Sequence, residues 1–185
     1  DDLPEARRLL GNVRADARFD DQPQDFRHAV LVLAGYVEMR EDQGESARAL
    51  LSAAAQLQDT DPDVWYWLSW VEADLGQHDD AARSLARLFR KWPDLGDNLQ
   101  DDHLWRLVRE ADASSDARTE LLQAIFDSGW KREALGGISH LHYELALVRA
   151  RQGDVAALRR IVPTVTWPTD IVRMRSDRRF DAAVD

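Results

Sequence analysis

Apolar residues return every three or four positions along almost the whole chain, the period of an amphipathic helix rather than the alternation of a half-buried strand. Leu3, Ala6, Leu9, Leu10 and Val13 share one face of a first helix, with Pro4 in its opening turn. Phe26, Ala29, Val30, Leu33 and Val37 form a stripe on a second, from about Asp25 to Arg40. A third, rich in Ala and Leu, runs from about Glu45 to Leu57. Asp61-Pro62 reads as an N-cap and first-turn proline for a fourth helix that ends at Gly76. Its partner runs from about Asp79 to Lys91 and stops at Pro93. Further helices are predicted near Asp102 to Ala111, from a Ser114-Ser115 cap to Phe126, in a longer stretch ending before Gly153, and from Val155 to Val162. Pro163 and Pro168 then break the pattern into an irregular arm. Helices joined by short polar turns pack as antiparallel hairpins, so the fold class expected is all-α.

The hairpins repeat. From Pro62 the chain carries Trp65, Leu68, Gly76, Ala81, Leu85, Leu88 and Pro93, and a shift of 34 positions puts Leu31 under Trp65 and Val37 under Val71. The same shift puts Glu38 under Glu72, Ala47 under Ala81 and Leu51 under Leu85. A single hairpin cannot bury its apolar face, so each supplies a bulky residue on its first helix and a small one on its second. Ala47 and Ala81 are expected where two helices cross closely. Leu145, Ala146, Gly153, Ala157 and Leu158 read as a weaker copy, one residue short in the turn, while Asp101 to Trp130 matches poorly.

These residues and their spacing resemble the tetratricopeptide repeat family. The resemblance implies hairpins stacked into a right-handed superhelix, an α-α solenoid. The segment Val13 to Asp20 also parallels Met174 to Asp181, sharing Arg, Asp, Arg, Phe and Asp. It looks like the segment that closes a group of such repeats in many bacterial proteins. The organisation expected is an N-terminal helix over 1–27, the tail of an earlier group, and two repeats over 28–95. A degenerate hairpin over 96–136 and a repeat with an irregular arm over 137–185 complete it.

In the family resembled, first helices line a concave surface that holds an extended peptide or a partner helix. Carried onto this sequence, that surface would present Val32, Tyr36, Met39 and Arg40, then Asp63, Tyr66, Trp70 and Asp74, then His140, Tyr143 and Arg151. Aromatic and Arg side chains carry much of the energy of protein interfaces, which makes this lining suited to a protein or peptide. The alternative is that Tyr36, Tyr66 and Trp70 pack between neighbouring first helices. Some members clamp a chaperone's terminal carboxylate with Lys and Asn; Val, Tyr, Trp and Asp stand here instead, so chaperone tails are not expected. Within Trp65-Tyr66-Trp67-Leu68-Ser69-Trp70 successive side chains diverge by about 100°, too far to form one stacking platform. Trp65 is expected in the core, Trp67 toward the neighbouring hairpin and Trp70 as an exposed anchor.

Composition narrows the partners. The chain of 185 residues is 44% hydrophobic, and its apolar residues are interleaved with charges, so no membrane span is expected. With 34 Asp and Glu against 24 Lys and Arg the net charge is −10, which repels nucleic acid. Basic residues are in surplus only from Arg149 onward, a polarity suited to docking between ends or to two solvated surfaces. There is no cysteine, and the first residue is not Met. Both fit a bacterial periplasmic protein slightly better than a cytoplasmic one, and a fragment boundary accounts for them equally well.

Catalytic signals are weak throughout. His140 and His142 lie two apart and diverge on a helix, and with Glu144 they do not complete a metal site. Gly136-Gly137 lacks the following Lys-Ser or Lys-Thr of a phosphate loop. Asp20-Asp21, Asp79-Asp80 and Asp101-Asp102 sit at turns or helix starts, where carboxylates cap N–H groups. The sequence therefore predicts no enzyme and no cofactor, but a protein-interaction scaffold. A structural spacer that self-associates through terminal hairpins, or the helical accessory part of a larger enzyme, are the alternatives.

Overall fold

The computed structural model describes residues 2–98, 101–112, 115–129 and 137–165. Among the described residues the regular structure is helical: α1 (Leu3–Ala15), α2 (Gln24–Arg40), α3 (Gly44–Leu57), α4 (Pro62–Asp74), α5 (His78–Lys91), α6 (Asp101–Glu110), α7 (Asp116–Ser128), α8 (Gly137–Gln152) and α9 (Val155–Ile161). Several starts carry the caps that their residue types dictate. The Asp61 carboxylate accepts from the Asp63 N–H at 3.0 Å, with Pro62 next in line. Ser115 caps α7 through the Arg118 N–H at 3.1 Å, and Asp154 caps α9 through the Ala157 N–H at 3.0 Å. Pro163 ends α9, and the chain continues as a single 3-10 turn over Val162–Thr164. Residues 166–185, with Pro168 and the C-terminal echo, lie outside the described residues, as do Gly136 and the side chain of His140.

Three hairpin turns share one geometry. The Gln43 N–H donates to the Glu38 carbonyl at 2.9 Å, Gln77 to Glu72 at 2.8 Å, and Asp154 to Arg149 at 3.0 Å. In each turn one residue takes the left-handed conformation that closes a helix: Asp42 (φ 57), Gly76 (φ 75) and Gly153 (φ 71). Asp42 and Gly76 stand 34 positions apart, as do the bonded pairs around them.

Helix α2 pairs with α3, α4 with α5 and α8 with α9, while α3 also lies along α4 and α1 along α2. Ala47, Leu51, Ala81 and Leu85 are all sealed from solvent. At Gly35 a Cβ would stand 2.7 Å from the Leu51 Cγ, so α2 and α3 approach closer than alanine permits. The core falls into two clusters that meet at α4. Val64, Leu68 and Val71 join Leu31, Ala34, Leu50 and Leu51, whereas Ala73 joins the larger cluster of α5 to α9; Trp65 packs against both.

After α5 the order of packing changes. Helix α7, rather than the short α6, lies along α5, and the buried Ala82, Ala86, Ala117 and Ala124 belong to those two helices. The nearly buried Arg118 then ties three helices together, its Nε donating to the Val108 carbonyl at 2.8 Å and its Nη2 to Glu144 at 2.9 Å. Neutralising a buried guanidinium with both a carbonyl and a carboxylate is what permits its burial.

Candidate functional site

Residues of α2, α4 and the turn after α2 border an open groove of about 420 Å³, lined by Tyr36, Met39, Arg40, Asp42, Tyr66, Trp67, Trp70 and Asp74. It exists because α2 and α4 are both first helices of hairpins and stand side by side, with α3 behind them. A row of rings runs across it. Tyr36 meets Trp67 with centroids 5.3 Å apart, Trp67 meets Tyr66 at 5.1 Å, and Tyr66 meets Trp70 at 6.3 Å, all steeply inclined. Edge-on and tilted contacts of this kind fix the rings without covering every face. Trp70 then stacks on His103 of α6 at 3.9 Å with planes 9° apart.

His103 is almost fully buried, and the loss of solvent, aided by the nearby Arg106 guanidinium, pushes its pKa down to about 4. The ring is therefore neutral at pH 7. The Ser69 hydroxyl donates to the Tyr66 carbonyl at 2.7 Å, so His103 Nε2–H donates to Ser69 Oγ at 2.8 Å. The His103 Nδ1 and the Trp70 Nε1 are buried and have no hydrogen-bond partner among the described residues.

Charges border the rings. The Arg40 guanidinium donates to the Tyr36 hydroxyl at 3.1 Å and lies 5.9 Å from that ring's centroid. Arg106 holds the Asp74 carboxylate at 2.7 Å and also bonds Glu110 at 3.0 Å. Asp42, exposed in its left-handed turn, forms no ion pair among the described residues.

Six of the eleven candidate partner-binding residues thus come together: Tyr36, Met39, Arg40, Tyr66, Trp70 and Asp74. Five do not: Val32 packs against the smaller core cluster and Asp63 is exposed in the first turn of α4, both outside the lining, and the other three lie on α8. Tyr143 is a correction, for its ring is buried in the larger core cluster; α8 packs against α7 and α9, and this turns the face that bears Tyr143 inward. Arg151 is exposed at the end of α8, away from the groove lining, and the His140 side chain lies outside the described residues. Trp70, expected as an exposed anchor, is half-buried because His103 covers one face. Trp67 and Asp42 line the groove although neither was among the candidates. Trp67 carried a signal, since the sequence already directs it toward the neighbouring hairpin. Asp42 carried one too, since it stands 34 positions before Gly76 and so in the equivalent turn.

Neither a family model nor a curated protein matches the chain. What the groove does must be read from its own chemistry. Among the described residues no group of three or more His, Asp or Glu is placed to hold a metal ion, and no helix is long and apolar enough to cross a membrane.

Proposed function

We propose that this chain is a tetratricopeptide-like scaffold whose hairpins stack as a right-handed α-α solenoid, and that it holds a peptide or helix of another protein between α2 and α4. The observation that carries this reading is the convergence of Tyr36, Met39, Arg40, Tyr66 and Trp70 on one open groove beside Trp67. Rings held by their neighbours lose little freedom on binding, so their apolar faces are available at low entropic cost. The equal turns after α2 and α4 support the repeat itself. Nothing in the groove resembles a nucleophile with its base or a raised-pKa acid, and the reading is one of binding rather than catalysis.

The test is affinity capture with wild type and a Tyr36→Ala/Arg40→Ala variant in parallel. Both residues border the groove outside the two core clusters, so the variant is expected to keep its thermal midpoint within a few degrees. A protein retained by the wild type and lost by the folded variant supports the scaffold. Equal capture by both, or none by either, refutes it.

A second reading is favoured by a separate observation. Leu33 is 56% exposed and Phe26 45% exposed on α2, and Leu9 and Val13 are exposed on α1. Leu33 stands 34 positions before Trp67, which on α4 packs against α2 through Tyr36. Among the described residues the matching position of α2 is left exposed instead, as expected of a spacer that stacks through its ends. Concentration-dependent association in sedimentation experiments, abolished by Leu33→Glu, would favour the spacer.

A further inference from the structure

We infer that the groove between α2 and α4 takes an arginine side chain of its partner peptide, with the guanidinium against the Tyr66 and Trp67 rings and the Asp42 carboxylate as counter-ion. This rests on the groove being a peptide site. Aromatic faces carry negative potential, and a planar guanidinium both stacks on them and pairs with a carboxylate.

The same protein already builds this arrangement from its own residues where α5 packs against the start of α4. The Arg87 guanidinium lies 4.3 Å from the Trp65 ring centroid, and its Nη2 donates to the Asp59 carboxylate at 2.7 Å. Trp65 Nε1 donates to that same carboxylate at 3.1 Å, so indole, guanidinium and carboxylate form one set, which the Lys91 ammonium joins at 3.0 Å from Asp59. Around Tyr66, Trp67 and Asp42 the groove presents two members of the set: inclined indole and phenol rings, and a carboxylate with no ion pair among the described residues.

The other carboxylate of the lining is already paired, Arg106 holding Asp74 at 2.7 Å, while the Arg40 guanidinium is hydrogen-bonded to the Tyr36 hydroxyl and lies over that ring. Asp42 is therefore the lining carboxylate that remains to be matched among the described residues. The net charge of −10, with its basic surplus confined to residues beyond Arg149, adds a field that attracts a cation and repels an acidic ligand.

The experiment begins with a displayed library of random dodecapeptides, selected on the wild-type protein and counter-selected on Tyr36→Ala. The best binder is then synthesised with each arginine replaced in turn by citrulline, which keeps shape and removes charge, and titrated by calorimetry. Enriched peptides are expected to share an arginine whose replacement weakens binding about fivefold or more. In Asp42→Asn, a surface change that leaves the fold intact, the arginine peptide is expected to bind about threefold to tenfold more weakly while the citrulline peptide is unchanged. Tyr36-dependent binders that lack arginine overturn the inference and leave the peptide groove standing. Equal affinity of the two peptides, or an arginine preference undiminished in Asp42→Asn, does the same. A selection that yields no Tyr36-dependent binder overturns both.

Discussion

The hairpins α2–α3 and α4–α5 carry matching residues 34 positions apart, yet the same position meets different surroundings in each. Glu38 and Glu72 are both buried in the last turn of a first helix. Glu38 is met by a bidentate Arg7 from α1, at 2.9 and 2.8 Å. Glu72 has the Ser84 hydroxyl at 2.7 Å, but the Arg48 guanidinium stands 3.9 Å away and is shared with Asp80. Burial therefore dominates at Glu72, and together with the Asp80 charge it pushes the pKa up to about 7 despite Ser84 and Arg48. The backbone turn repeats, whereas the charge balance depends on what packs from outside the hairpin.

The largest effect expected from breaking this comparison is at Glu72. Its pKa is raised on folding, so its contribution to stability is complete below the ordinary value of 4.5 and is lost as pH rises through about 7. Glu72→Gln keeps an acceptor for Ser84 and removes the buried charge. In chemical denaturation it should match the wild type near pH 4 and exceed it at pH 8, by at most about 3 kcal/mol. Glu38→Gln, which gives up a bidentate ion pair, should instead be destabilising at pH 8. His103 acts in the opposite sense to Glu72: its contribution is complete above 6.5 and is lost as pH falls toward 4. Comparing each variant with wild type at the same pH cancels it.

A smaller effect is expected where the hairpins differ in helix separation. Gly35 and Ser69 occupy matching positions, but only at Gly35 would a Cβ reach within 2.7 Å of the Leu51 Cγ. Leu51 is fully buried and cannot swing aside. Gly35→Ala should cost roughly 1–2 kcal/mol, overpacking outweighing the gain in helix propensity. A stabilised Gly35→Ala protein would show that α2 and α3 can separate freely.

The smallest effect sharpens the likeness. Gly76→Ala forces a side chain into the left-handed region and should lower stability by about 1 kcal/mol. Asp42→Gly relieves the same strain in the first hairpin and should raise it by several tenths. Thermal midpoints moving in opposite directions are the expected result. Movement in the same direction would mean that the two turns do not share one geometry.

The helices of the described residues were legible because their signals are short-range. Asp61-Pro62, Ser115 and Asp154 each act on N–H groups within one turn, and Gly76 and Gly153 close helices through their own φ. The six groove residues on α2 and α4 were legible as well, since two adjacent hairpins in register leave their first helices side by side. Tyr143 was misjudged because its place in a weak repeat copy says which turn it follows and nothing about which helix lies opposite. His103 went unnoticed as a partner of Trp70 because α6 belongs to the stretch that matches the repeat poorly.

Chain periodicity and caps by themselves determined where helices begin and end, and the recurrence of small and bulky residues determined which faces pair within a hairpin. Tertiary structure alone decided that α7 lies along α5, that Tyr143 is buried and that Trp70 is covered on one face. It also decided that Glu38 meets an arginine squarely and Glu72 does not. Hydrogen bonds and dihedral preferences act within a turn and are written in neighbouring residues, whereas burial and charge pairing depend on residues brought close from far along the chain.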